Sequence, residues 1–368
     1  MSEEPLLTTP LDALHRSLGA RMVPFAGYAM PVQYPAGVLT EHLHCRAHAA
    51  LFDVSHMGQA FLTGPGAAAA LELLAPGDIA GLAPMRQRYS LLTTASGGIL
   101  DDFMVAHLEG DRWFLVVNAS RKDVDYAHIA AHLPAGVTLQ RLEDRALLAL
   151  QGPAAVGVLE SLAPGVAALP FMGLAEITID GAKCLASRSG YTGEDGFEIS
   201  IPADCAEAVA QILLAQPGVM PAGLGARDSL RLEAGLCLYG NDIDESTNPI
   251  EAGLAWTIPK RRRAEWNFLG AAPIRAMLEA GPARKRVGIR PDGKAPARGH
   301  TEILAADGSV IGEITSGGFG PTLNAPCAMG YVRADHAALD SKISLLVRGK
   351  PLPACVAKMP FVPHTYIR

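Results

Sequence analysis

Short runs in which apolar and polar residues alternate punctuate this chain. Between them lie stretches whose apolar residues recur every three or four positions. The first pattern puts alternate side chains on opposite faces of a strand, and the second gathers them on one side of a helix. Pro10 to Gly19 reads as a short helix, an aromatic-rich loop (PFAGYAMPVQYPAG) follows, and helical spacing returns from Val38 to Leu51. Strands are predicted at Gln59–Thr63, Tyr89–Thr94, Phe103–His107 and Trp113–Asn118, with Asp111 in a tight turn before the last. Helices are predicted at Ala67–Leu74 and Arg121–His132, the second with Ser120 as its N-cap.

The same alternation continues at Val137–Leu142, Leu147–Gln151, Glu176–Ile179 and Phe197–Ile201, with helices at Ala154–Leu162, Cys205–Ala215 and Ala226–Leu236. Strands mixed with helices, several joined as hairpins, predict α+β layers with antiparallel sheets. Near Gly281 the pattern changes to short strands separated by Gly/Pro turns: Val287–Ile289, Glu302–Leu304, Val310–Thr315, Ala328–Val332, Ile343–Val347 and Cys355–Ala357. No helical pattern interrupts them, which predicts a small β-barrel or sandwich.

Length and composition narrow this picture. A chain of 368 residues exceeds one compact core, so two or three domains are expected. A hydrophobic content of 49% with 18% charged residues describes a soluble globular protein, and the net charge of −6 argues against a nucleic-acid partner. The six cysteines are dispersed without a CxxC pair, as in a reducing compartment. No run reaches the roughly 18 uncharged apolar residues of a membrane helix. The acidic opening MSEEPLLTTPLDALHRSLGARM lacks the features of a signal or transit peptide. A cytoplasmic bacterial protein is expected, with a mature mitochondrial matrix form the other possibility.

Five segments carry the candidate chemistry. Arg188-Ser-Gly-Tyr-Thr-Gly-Glu-Asp-Gly-Phe-Glu198 places glycines, an aromatic and three carboxylates between two strands. Such a turn brings amides and acids against something flat or polar; the plain alternative is an acidic solvated hairpin. GGILDDF (97–103) sets two acids where a turn becomes a strand, so that one of Asp101 and Asp102 can face a site while the other faces solvent or caps the turn. Met104 and Ala106 share the face of Asp102 and would surround it with apolar surface, which perturbs a carboxyl pKa. In ARDSLRLEAGLCLYGNDID (226–244), Arg227 and Arg231 are i,i+4 neighbours on a helix. FDVSHMGQ (52–59) and KMPFVP (358–363) complete the set.

Together, and in this order, these segments resemble the T-protein, or aminomethyltransferase, family of the glycine cleavage system, from about Thr9 to Tyr366. The resemblance implies two interwoven folate-binding α+β domains within residues 1–280 and a C-terminal β-barrel within 281–368, arranged around a central hole. It implies transfer of a one-carbon unit to tetrahydrofolate, as co-substrate and without a metal, from an aminomethyl group on a lipoylated carrier, the H-protein. Ammonia is released, and the P- and L-proteins of the system are indirect partners. No nucleic-acid or membrane partner is implied.

Residue by residue, the resemblance maps the essential acid to Asp102, as a proton acceptor or as a group that orients folate. Glu198 maps to the acid on the pterin edge, where a carboxylate accepts two hydrogen bonds. Arg227 maps against the folate, where a planar guanidinium suits ring heteroatoms or carboxylates. Met57, Tyr89, Phe114, Val116, Asn118 and Tyr191 map around the rings, and Tyr366 is donated from the C-terminal domain. Phe114 stands where some relatives carry Tyr, so it offers no hydroxyl. Arg231 reads as structural, paired with Asp228 or Glu233. The basic runs Lys260–Arg263 and Arg284–Arg286 read as a positive surface for an acidic carrier.

Other readings exist. Glu41, His44, Cys45 and His48 fall on one helix with metal-ligand spacing, but no second ligand cluster lies downstream, and capping and packing explain them more simply. On the same fold, a folate-dependent demethylase of a small methylated substrate is the alternative activity. A non-catalytic folate-binding or tRNA-modification protein is the alternative from another class; the pairing of Asp102 with Arg227 counts against it. P-loop, GxGxxG, HExxH and nucleophile-elbow motifs are missing from the sequence.

Overall fold

The computed structural model describes residues 5–367. After α1 (Asp12–Ser17), the expected loop is instead a hairpin of β1 (Arg21–Phe25) and β2 (Tyr28–Gln33). Pro24 and Pro31 mask the strand pattern, but a two-stranded ribbon has free edges where missing N–H donors cost little. Its turn holds Ala26 at φ 48° and Gly27 at φ 82°, both left-handed, which matches the twist of a tight hairpin. Helix α2 (Val38–Ala47) ends earlier than expected, and β3 (Ala49–Asp53) takes up the rest. All five residues of β3 are buried. A strand covered on both faces reads as a continuous apolar run and is easily merged with a neighbouring helix.

The chain then leaves β3 to build a second sheet from β4 (Gly58–Thr63), β5 (Arg86–Thr93), β6 (Ile99–His107), β7 (Arg112–Val117) and β8 (Thr138–Arg141), ordered β5-β6-β7-β4-β8. It carries α3 (Ala67–Leu74) and α4 (Lys122–Ala130). Ser120 does not cap α4; the N-cap position is Arg121, with no side-chain cap. The chain next returns to the first sheet with β9 (Arg145–Gln151), β10 (Leu174–Ile179), β11 (Ala182–Ser187), β12 (Gly196–Pro202) and β13 (Val219–Pro221), ordered β10-β11-β12-β9-β3-β13. The two sheets are thus interwoven, and all their pairings but β13 with β3 are antiparallel.

Strand alternation divides each sheet into an outer and an inner face. Outward, Leu148, Leu150, Phe197 and Ile199 pack with Leu159 of α5 (Ala155–Leu162) and with Val209 and Leu213 of α6 (Ala206–Leu214). In the second sheet Leu62, Phe103, Val105 and Leu115 pack with Leu71 of α3 and Ile129 of α4. Inward, the sheets meet: Phe52 and Ala149 share a cluster with Met57 and Val116, and Phe114 and Ala106 meet Leu174 and Leu185. The order is therefore helices, sheet, sheet, helices, with the inner faces free to build a site.

Helix α7 (Leu224–Glu233) covers one end of the inner layer and ties it to the rest. Beyond it come α8 (Lys260–Glu265), α9 (Ala271–Ala280) and a closed six-stranded barrel of β14 (Arg284–Pro291), β15 (Glu302–Leu304), β16 (Val310–Gly320), β17 (Ala325–Arg333), β18 (Lys342–Val347) and β19 (Lys350–Ala357). Closure leaves no strand edge open. Leu232 of α7 packs on Cys327 and Met329 of the barrel, and Arg231 donates to Ser316 at 3.0 Å and to Asp242 at 2.9 Å.

Candidate active site

Cross-strand register decides what meets on the inner face of the second sheet. Tyr89 of β5 lies opposite Met104 of β6, and Met104 lies opposite Val116 of β7. One step along, Leu91 faces Asp102, and Asn118 follows the end of β7. Directly opposite residues share a face, so Asp102, Tyr89, Val116 and Asn118 line one surface. Asn118 Nδ2 donates to Asp102 Oδ1 at 2.8 Å and to Asp101 Oδ1 at 2.9 Å, and the Asn118 backbone N–H donates to Asp101 Oδ2 at 3.3 Å. Burial, and then the charge of Asp101, push the Asp102 carboxyl up to about 7, while hydrogen bonds from Tyr89 and Asn118 hold it down.

Asp101 does not face solvent or cap a turn, as the strand start suggested. It is fully buried on the outer face, against α4. The start of β6 is itself covered: a Cβ at Gly98 would fall 1.8 Å from the Glu245 carbonyl oxygen, so only glycine lets the 240–247 loop close over it.

The first sheet supplies the opposite wall. Glu198 of β12 pairs with Ser187 and Ala149 on the inner face and accepts a hydrogen bond from Ser189 Oγ at 3.1 Å. Of the three acids in the 188–198 segment, only Glu198 makes no ion pair among the described residues. Asp195 is bound by Arg188 (3.0 and 2.6 Å), and Glu194 accepts from Arg46 (2.8 Å) and Thr365 (2.6 Å). Gln151, fully buried, fixes the turn by donating to the Ser189 carbonyl (2.9 Å) and accepting from Thr192 (2.8 Å).

Helix α7 closes the gap. The guanidinium carbon of Arg227 lies 4.9 Å from the Tyr191 ring centroid, and Tyr191 donates its hydroxyl to the Cys237 carbonyl. Arg227 Nη1 is buried with no acceptor. Burial lowers the Arg227 pKa, and the nearby charge of Glu198 acts against that. Tyr366, stacked on Phe171 at 4.4 Å, lies within the field of Glu198.

Of the ten residues singled out in the sequence, nine are half-buried; Phe114 is closed into the inter-sheet core at 6% exposure. The patterns of the families described as "GCVT N-terminal domain" and "Glycine cleavage T-protein C-terminal barrel domain" match residues 11–262 and 284–363. The chain belongs to the glycine cleavage T-protein family. It is 46% identical to the mitochondrial aminomethyltransferase of Mesembryanthemum crystallinum, over 100% of this chain and 92% of that one. With the Gallus gallus mitochondrial enzyme the identity is 49%, over 99% and 94%. The crystal structure of the glycine cleavage system aminomethyltransferase T from Bartonella henselae superimposes with a TM-score of 0.95 at 44% identity, covering 99% of this chain and 100% of that one. This T-protein is an aminomethyltransferase of the glycine cleavage system.

The structure details two further sequence expectations. In the basic runs Lys260 and Lys285 are exposed, while the arginines are anchored. Arg261 is paired with Glu72, Asp78 and Glu265. Arg262 is 1% exposed and donates to the Glu72 and Ala75 carbonyls, and Arg263 donates to those of Ile258 and Ala255. Arg284 pairs with Glu251, and Arg286 is held by the Ala252 carbonyl. These guanidiniums are anchored to acids or carbonyls and hold α8 and the barrel in place. Arg231 pairs with Asp228, the first of its two expected partners, while Glu233 is taken by His42 and Arg46.

The Glu41–His48 segment is explained by contacts. Glu41 accepts from the Tyr34 and Gly223 backbone N–H groups (2.6 and 2.9 Å), His42 joins Ser229, Glu233 and Thr322, and His44 donates to the Gly218 carbonyl at 2.8 Å. Three neighbours of the site escaped the sequence reading. Trp256, 62% exposed, stacks on Tyr89 at 5.5 Å. Buried His56 is lowered to about 4 by desolvation and stays neutral. Asp125 lies behind Asp101; its only sequence signal is an acid in the first turn of α4.

Proposed function

We propose that the inner layer of this aminomethyltransferase is its tetrahydrofolate site and that Asp102 manages the proton of the reaction. Aminomethyl-loaded, lipoylated H-protein is the proposed donor and tetrahydrofolate the acceptor; ammonia and the methylene form of folate are the products. The observation that carries the reading is Asp102 itself, half-buried, held by Asn118, and raised to about 7 on a face shared with Tyr89 and Val116. A group poised there gains or loses a proton at working pH with little cost.

In this proposal the other residues position the acceptor. Glu198 takes the amino edge of the pterin as a two-acceptor partner, and the unmet Nη1 donor of Arg227 finds an acceptor on the folate. Tyr89, Tyr191, Met57, Val116 and Tyr366 supply flat and apolar contacts, with Phe114 as the wall behind. Tyr191 is kept in place by Cys237, so the Arg227 stack exists before the ligand arrives. The binding region proposed ends near residue 280, where α9 stops, and the barrel domain follows from Arg284.

Five buried thiols and one partly exposed, all free, support a reducing compartment, either a bacterial cytoplasm or a mitochondrial matrix. Among the described residues, no helix is long and apolar enough to cross a membrane. The test is ammonia release from aminomethyl-loaded H-protein with and without tetrahydrofolate. Release strongly accelerated by tetrahydrofolate supports the reading. Release from a small methylated amine or sulfonium compound, and none from H-protein, would favour the demethylase activity instead.

A further inference from the structure

We propose that Asp125 is a positioning residue that carries a proton and donates it in a hydrogen bond to Asp101, keeping Asp101 ionised directly behind Asp102. Its effect on turnover rests on Asp102 being the proton-managing group; the place of the proton does not.

The surroundings of the two acids decide which is protonated. Asp101 and Asp125 are both fully buried, and each carboxyl acts on the other. Two neighbouring carboxylates away from water are not both ionised, so they hold one proton between them. Asp101 accepts two N–H hydrogen bonds from Asn118, at 2.9 and 3.3 Å, which stabilise its anion. Asp125 receives none from an N–H or O–H group: both of its oxygens are buried without a donor. The cation acting on it, Arg121, is drawn away to Glu245 at 2.7 Å and lies over the Tyr239 ring. The proton therefore stays on Asp125. Asp101, Asp102, Arg121 and Tyr126 are the titratable groups that act on one another here, with Glu245 and Tyr239 behind Arg121. Burial first, and then the charge of Asp101, raise the Asp125 carboxyl to about 10, in accord with the geometry.

The consequence reaches the site through one residue. Asn118 spans Asp101 and Asp102 with a single amide nitrogen, so an ionised Asp101 both aligns that amide and repels a negative charge on Asp102. Removing the Asp125 donor shifts the proton onto Asp101, and Asp102 then loses the repulsion that raises it.

The test compares two near-isosteric variants. Asn at position 125 offers an N–H in place of the acid proton, whereas Leu offers nothing. Asp125→Asn is expected to keep the pH midpoint of kcat/KM close to that of the unaltered enzyme. Asp125→Leu is expected to lower it by about one unit or more, the scale of a lost neighbouring charge. Equal shifts in both variants would mean that Asp125 is ionised in the native enzyme, and no shift in either would leave it a packing residue; both results overturn the proposal. If the Leu variant does not fold, infrared difference spectra of the free enzyme at pH 8 provide an independent measurement. A protonated-carboxyl band present in the native protein and lost in Asp125→Asn supports the proposal, and its absence from the native protein refutes it, whatever Asp102 does.

Discussion

Arg227 stacks on Tyr191, its guanidinium carbon 4.9 Å from the ring centroid, with Nη1 buried and unpaired. An unmet buried donor costs free energy until a ligand fills it. In the proposed site, Arg227 offers a donor and Glu198 an acceptor edge to the folate. Glu198→Gln is expected to weaken tetrahydrofolate binding roughly tenfold or more, the worth of about 1.5–3 kcal/mol for a charge-assisted contact. Titration calorimetry reads this directly; an unchanged affinity would remove Glu198 from the site.

The raised Asp102 carboxyl also sets a pH dependence of stability. Its folded-state pKa, about 7, lies above the ordinary carboxylate value of 3.8. Between those values the native chain holds more protons than the unfolded one, so stability falls as pH rises through this window. Asp102→Asn removes that cost. The variant is expected to be more stable than the parent at pH 8, by more than about 1 kcal/mol, and to show little difference at pH 4. Denaturant titrations at the two pH values would show it, and a variant less stable than the parent at pH 8 would count against a raised Asp102 carboxyl.

The anchored arginines lead to a different expectation from a docking patch. Arg231 bridges Asp242 and Ser316 while 3% exposed. Arg231→Ala leaves the buried Asp242 carboxylate without its cation, and breaking such a pair costs about 3–5 kcal/mol. Arg262→Ala, which strips donors from the Glu72 and Ala75 carbonyls, is expected to lower the unfolding midpoint as well. Thermal melts that leave both variants within a degree of the parent would show that these contacts add nothing.

Much of this was legible in the sequence, and the exceptions share a cause. Alternation located β4 and β12 because one face of each differs in polarity from the other, as Phe197, Ile199 and Ile201 do from Glu198 and Ser200. It missed β3, which is buried on both faces, and β1–β2, whose prolines sit where a ribbon tolerates them. Half-buried polar residues such as Asp102, Glu198 and Arg227 were found by their motifs. Asp125 was not, because a helix acid in a first turn ordinarily serves the helix dipole, and only the three-dimensional packing sets it against Asp101. The KRRR run reads differently in the fold because two of the acids that Arg261 meets, Glu72 and Asp78, lie far off in sequence.

The role of Asp102 is most directly examined by single-turnover transfer from aminomethyl-loaded H-protein to tetrahydrofolate, measured for the native enzyme, Asp102→Asn and Asp101→Asn, alongside tetrahydrofolate affinity. Loss of a proton-managing group lowers turnover by roughly two or more orders of magnitude. Asp102→Asn is expected to show that loss while binding tetrahydrofolate with nearly native affinity. An Asp102→Asn enzyme that turns over normally, with Asp101→Asn the inactive one, would contradict the assignment.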